Sequence, residues 1–159
     1  MIDLPRQLTL IAAVGAGLSG GVFLAFSTFV MSSLGRLSDR EGLLAMQQLN
    51  RGAPQPLFMT VLFGTAGACV VVGASAARRL DEPAAPWQLA GSAAYLVAIA
   101  LTVTYHVPHN DALASVDPAS TAAGHLWRDY LLHWTAWNHV RTAACATAAT
   151  LLTVAVRLD

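Results

Sequence analysis

HLWRDYLLHWTAWNHVRT, residues 125–142, is the stretch that decides the fold. It gathers Trp127, Trp134 and Trp137, three of the chain's four tryptophans, beside His125, His133 and His139, one asparagine and two arginines. No proline or glycine interrupts it, so the segment from Gly124 onward reads as continuous helix. Directly after Arg141 the sequence turns apolar and carries no charge until Arg157. A helix that is aromatic and polar at one end and apolar along the other has the form of a helix entering lipid.

The rest of the chain has the same character. Of 159 residues, 55% are hydrophobic and 11% charged, less than half the about 25% charge of a soluble domain. No charged side chain falls between Arg6 and Arg36, between Arg51 and Arg78, or between Glu82 and Asp111. Each gap exceeds the roughly 20 residues with which an α-helix crosses about 30 Å of hydrocarbon. The gap from Arg141 to Arg157 is shorter, but an arginine at each end can extend its guanidinium to the headgroups. The expectation is an all-α integral membrane four-helix bundle, one membrane domain over 1–159, with spans near 7–34, 55–77, 86–106 and 137–157. A soluble bundle would need more polar surface than these runs leave. The first run continues through FLAFSTFVM, past the length of a signal sequence, and reads as a retained helix.

The expected location is therefore the cell membrane, with several passes and the lipid bilayer as first partner. A formal net charge of zero leaves no basic surface for nucleic acid. Arg6, Arg78, Arg79 and Arg157 lie near the termini and the shortest connection, which favours cytoplasmic termini. Cys69 and Cys145 lack CxxC partners and read as packing residues.

The connections carry further signals. In SSLGRLSDREGLLAMQQLNRGAP, residues 32–54, Ser38 or Asp39 can cap a short amphipathic helix reaching about Asn50. Pro108 is expected to end the third span, and Asp111 to Ser120 is the one stretch suited to a long loop. Gly17 with Gly21, and Gly64 with Ala68, have the spacing that lets helices approach closely in lipid.

At about 100° per residue, Trp127, Tyr130, Trp134, Asn138, Arg141 and Cys145 share one helix face. His133 and Trp137 flank it, while His125 and His139 point away. Asn138 and Arg141, on an inward stripe, need a partner or a wet cavity. The second and third spans form a hairpin, so both longer connections lie on one side of the membrane. That brings Gln47, Asn50, His106, His109 and Asn110 to the same end as Asn138 and Arg141. Amides, imidazoles, a guanidinium and aromatic walls describe a pocket mouth for a flat, partly polar organic molecule.

GVFLAFSTFVMSSL (21–34), AMQQLN (45–50), VPHNDAL (107–113) and W-x-x-W-N-x-x-R-T (134–142) together resemble the anthrone oxygenase family, in order and with similar spacing over nearly the whole chain. The resemblance implies a four-helix membrane protein and, from relatives in fungal polyketide pathways, oxidation of an anthrone to an anthraquinone with molecular oxygen. Asn50, Pro108, Asn110, Trp134, Asn138 and Arg141 match the family's pattern, whereas His106 is less typical at its position.

Such an oxidation needs no metal in principle, because proton loss from the activated methylene gives an enolate that reduces oxygen directly. A protein supplies a base, oxyanion donors and a dry aromatic slot. His109 or His133 can serve as base. Asn110, Asn138 and Arg141 can serve as donors, with Gln47, Asn50, Tyr130, Trp134 and Trp137 around a small aromatic substrate. No cofactor is called for on this reading. Two alternatives stand beside it. One is a haem or metal ion at His106 and His109, three residues apart with Pro108 disrupting the helix between them. The other is a non-enzymatic membrane subunit or scaffold, whose amides and arginine close hydrogen bonds between helices. A homodimer is compatible with only four helices.

Overall fold

The computed structural model describes residues 4–158, so the ends of the expected 1–159 domain fall outside the described residues. Among these, every regular element is helical. Helix α1 (Leu4–Ala25) passes through a π turn (Phe26–Val30) into α2 (Met31–Leu34), followed by α3 (Asp39–Gly52) and α4 (Pro56–Ala76). Helix α5 (Ala85–Leu101) passes through a second π turn (Thr102–His106) into α6 (Val107–Ala114), and α7 (Ala123–Leu158) closes the chain. Four runs are long and apolar enough to cross a membrane: Pro5–Leu34, Pro56–Ala76, Ala85–Ala114 and Ala123–Leu158. The protein is an all-α membrane helical bundle.

The third run differs from expectation. Pro108 does not end it: the helix continues to Ala114, and the long loop shrinks to residues 115–122. The π turn immediately before the proline resets the hydrogen-bond ladder. Pro108 then stands in the first turn of α6, where a missing N–H costs no helical bond. The fourth run matches the sequence reading, with no break between the aromatic segment and the apolar one. Its 36 residues extend about 54 Å at 1.5 Å per residue, well beyond a hydrocarbon slab of about 30 Å. The surplus carries Trp127 and Tyr130 out to the bundle mouth.

Helix α3 covers that mouth. Ser38 caps it: the hydroxyl accepts from the Glu41 N–H at 3.4 Å, and the Glu41 carboxylate accepts from the Ser38 N–H at 3.2 Å. Hydrogen bonds from Ser38, hydroxyl first and backbone second, hold the Glu41 carboxyl below its ordinary range. The buried side of α3 (Leu43, Met46) packs with Met31, Leu34, Trp127, Tyr130 and Trp134 in an upper core.

Within the spans, lipid is as apolar as leucine, so close packing and hydrogen bonds hold the helices together. Tyr95 donates its hydroxyl hydrogen to the Leu62 carbonyl at 3.1 Å and accepts from Ser19 at 2.9 Å, which ties the first three spans at one point. Close approach is made at Gly15 and Gly91, where an added Cβ would come within 1.9 Å of Thr65 Oγ1 and 2.8 Å of Leu152 Cγ. Gly17, Gly21 and Gly64, the expected packing glycines, meet nothing within 4 Å. In α1 the contact face is instead Ala12, Ala13, Ala16 and Phe23, and Gly17 and Gly21 lie off it.

Candidate functional site

The stripe read from the sequence is buried as a unit, from Trp127 through Tyr130, Trp134, Asn138 and Arg141 to Cys145. Its polar centre is Asn138, 0% exposed. The Asn138 NH2 donates to the Phe23 carbonyl and to Ser27 Oγ, both at 2.8 Å. Its Oδ1 accepts from Arg141 Nε at 3.2 Å and Nη2 at 2.6 Å. Arg141, 6% exposed, also donates from Nη1 to Thr102 Oγ1 at 3.2 Å. Its guanidinium carbon lies 3.8 Å from the Phe23 ring centroid and 5.5 Å from that of Trp134.

Three bonds leave two of the five guanidinium N–H donors unused. Among the described residues the ion pairs are Arg79–Glu82, Arg128–Asp39 and His133–Asp129, and none involves Arg141. A buried cation without a counter-ion is costly. This one borders a cavity.

The cavity encloses about 330 Å³ among all four spans, at the lower end of the about 300–1,000 Å³ typical of ligand pockets. Its inner wall is Phe23, Phe26, Thr102, His106, Trp134 and Arg141, and its rim includes Asn50, Arg51, Pro54 and Asp111. Asn110, on the wall between them, accepts at Oδ1 from the Tyr130 hydroxyl at 2.7 Å and from Trp134 Nε1 at 2.8 Å. Both contacts are donors, so they fix which end of the amide is oxygen. The Asn110 NH2 remains available to a ligand.

His106 is 1% exposed and stands edge-on to Trp134, ring centroids 5.0 Å apart. Its Nδ1 lies 3.1 Å from the Leu101 carbonyl. A carbonyl only accepts, so Nδ1 carries the proton and the neutral ring keeps its lone pair on Nε2. That Nε2 is buried with no hydrogen-bond partner among the described residues.

Of the residues expected from sequence to share a site, Gln47, Asn50, Asn110, Trp134 and Arg141 line the cavity. Tyr130 and Asn138 stand behind it, holding Asn110 and Arg141. Gln47 is committed to the chain, since its NH2 donates to the Leu113 and Val116 carbonyls at 2.9 and 3.0 Å. Three residues lie outside the cavity. His109 is exposed, with Nδ1 donating to the Tyr105 carbonyl at 2.7 Å and its ring stacked on Tyr105. His133 is exposed beside Asp129, and Trp137 is 42% exposed. His133 and Trp137 each stand one residue from a buried position, and about 100° of rotation is enough to turn them outward.

His106 and His109 do not converge: one borders the cavity and the other the surface. Among the described residues no three His, Cys, Asp or Glu side chains are grouped so as to hold a metal ion. The sequence places His106 at this end of the bundle but gives no sign that it shares an inward wall with Thr102, nor that Phe23 and Phe26 lie opposite. Both pairs lie at or beside the π turns, which commonly mark functional sites. The one available signal was TVTYHVP, in which Thr102 and Thr104 bond the Ala98 and Ala100 carbonyls just ahead of a proline.

The profile of one protein family, described as anthrone oxygenase, matches residues 57–151. The match covers the second and third spans and most of the fourth. No curated protein and no solved structure matches the chain.

Proposed function

The chain belongs to the anthrone oxygenase family, and from that premise we propose that it binds a flat phenolic aromatic of the anthrone class and oxidises it with molecular oxygen to the quinone. The observation that carries this reading is Arg141, a buried cation on the wall of an aromatic cavity with no carboxylate partner among the described residues. An enolate or phenolate supplies the missing charge, and Trp134 and Phe26 supply faces for its rings.

In the reaction, His106 Nε2 takes a proton from the methylene between the rings. The enolate oxygen is held by the unused N–H groups of Arg141 and the NH2 of Asn110. The enolate passes one electron to O2, and the resulting pair joins, forming one C–O bond at the former methylene carbon. The peroxide takes up the proton from His106. That carbon then loses its second hydrogen as a proton, the O–O bond breaks to leave C=O, and hydroxide departs protonated as water. One anthrone and one O2 become one anthraquinone and one water. Asp111 at the rim also accepts protons, but it is exposed, whereas His106 lies in the dry interior.

The scaffold reading draws support from Gln47 and Asn138, whose bonds are satisfied within the chain. It leaves the charge of Arg141 and the free Nε2 of His106 without a role. Arginine is denser at the termini and the short connection (Arg6, Arg78, Arg79, Arg157) than along the two longer connections (Arg36, Arg40, Arg51, Arg128), and that density supports cytoplasmic termini with the cavity rim on the opposite side. Oxygen uptake by the purified protein with emodin anthrone tests the proposal, and uptake no faster than the spontaneous rate would count against it.

A further inference from the structure

The cavity is bordered by membrane as well as by its polar rim. Val22 of α1 and Phe63 of α4 also line it, and they are 40% and 49% exposed. Phe63 follows Pro56, the first residue of α4, by seven positions, or about 10 Å at 1.5 Å per residue. The 21 residues of α4 extend about as far as the hydrocarbon is thick. The exposed face of Phe63 therefore meets acyl chains. Val22 adjoins Phe23, whose ring lies against the Arg141 guanidinium, so this side of the cavity lies at the depth of the buried cation.

We propose that the gap between α1 and α4, flanked by Val22 and Phe63, is a lateral portal through which a planar aromatic dissolved in the bilayer enters the cavity. The proposal rests on reading the cavity as a phenol site. A fused-ring phenol partitions into hydrocarbon, and leaving through the polar rim would expose its rings to water at about 25 cal/mol per Å². A charged molecule meets the opposite penalty in lipid. The portal therefore admits the neutral phenol, which ionises only beside Arg141. This selects for apolar, uncharged, flat substrates before any recognition in the pocket.

A portal governs how fast a ligand arrives and leaves, while the equilibrium constant is independent of the route. The test follows emodin, the quinone product of emodin anthrone, in lipid nanodiscs containing the protein, through the red-shifted absorption of its bound phenolate. The Val22→Phe/Phe63→Trp pair narrows the gap and should slow binding about tenfold or more with the dissociation constant little changed. Phe63→Ala widens it and should speed binding. Arg51→Trp, at the polar rim, should leave the rate as it is. The reverse pattern, with Arg51→Trp slowing entry and the side variants without effect, overturns the portal. Failure of emodin to bind the unaltered protein overturns the portal together with the phenol site. If emodin binds at a portal-dependent rate but emodin anthrone is not oxidised, the portal stands and the oxygenase reading falls.

Discussion

Asn138 and Arg141, one helical turn apart on α7, form a single unit: one carboxamide oxygen accepts from both Nε and Nη2 of the guanidinium, at 3.2 and 2.6 Å. The other end of the same amide is bonded to Phe23 and Ser27 on the first span. Asn138 is thus a clamp between two helices and a bracket for the cation, while the unused face of Arg141 borders the cavity. Clamp and charge sit on neighbouring side chains, so variants can separate them.

Arg141→Met removes a buried charge that has no carboxylate partner among the described residues, but it leaves the Asn138 Oδ1 without its donors, so thermal stability should fall by no more than about 1–3 kcal/mol. It should weaken emodin binding by about 2 kcal/mol or more, the cost of truncating one side of a buried charge pair. Asn138→Leu should lower stability by about 1–3 kcal/mol, because it leaves buried groups unpaired. Thermal unfolding in detergent and emodin titration, run on both variants, read the two effects. A structural role alone for Arg141 would leave the affinity of Arg141→Met for emodin intact.

His106→Gln removes the ring nitrogen assigned as proton acceptor. Turnover of emodin anthrone should fall by about 10²–10⁴-fold, while emodin, which needs no proton abstraction, should bind about as well as before. His109→Gln and His133→Gln should leave turnover near that of the unaltered protein, since both side chains are exposed outside the cavity.

Helix packing gives a prediction independent of chemistry. A Cβ at Gly91 would press on Leu152 at 2.8 Å, whereas one at Gly64 meets nothing within 4 Å. Gly91→Ala should cost about 1–3 kcal/mol by overpacking, and Gly64→Ala should be neutral or slightly stabilising. Comparison of their unfolding midpoints decides it.

These two glycines show where the sequence was legible and where it was not. The stripe from Trp127 to Cys145 could be read because polar and aromatic residues mark one side of a helix that is otherwise apolar. The cap of α3 could be narrowed to Ser38 or Asp39 because its chemistry is local. The packing glycines could not, since a face against lipid and a face against another helix are equally apolar. The same ambiguity hides Phe23, Phe26 and the inward turn of Thr102, whereas His106 is placed at this end of the bundle by the hairpin of the second and third spans. A π turn shifts the helical register by one residue, so a projection at constant pitch misplaces whatever borders it. Pro108 was read as a terminator for the same reason. His109 is placed at the cavity by end of bundle and His133 as a flank of the buried stripe; both lie exposed outside the cavity, whereas His106 lines it.

The α3 cap adds a pH dependence. Because Ser38 lowers the Glu41 carboxyl from its ordinary 4.5, the cap's contribution is complete above that value and is lost as pH falls through the lower folded-state one. Amide exchange in α3 should therefore accelerate on acidification. Glu41→Gln should exchange faster near neutrality and lose this acid-dependent step.

Whether the cavity beside Arg141 oxidises an anthrone is decided by oxygen consumption and product formation followed in one experiment. The protein in nanodiscs is given emodin anthrone, beside the His106→Gln and Arg141→Met variants. The expected result is one O2 consumed per emodin formed, at a rate well above the spontaneous one, with each variant near background. An unaltered protein no faster than empty nanodiscs, or variants as fast as the unaltered protein, would contradict it.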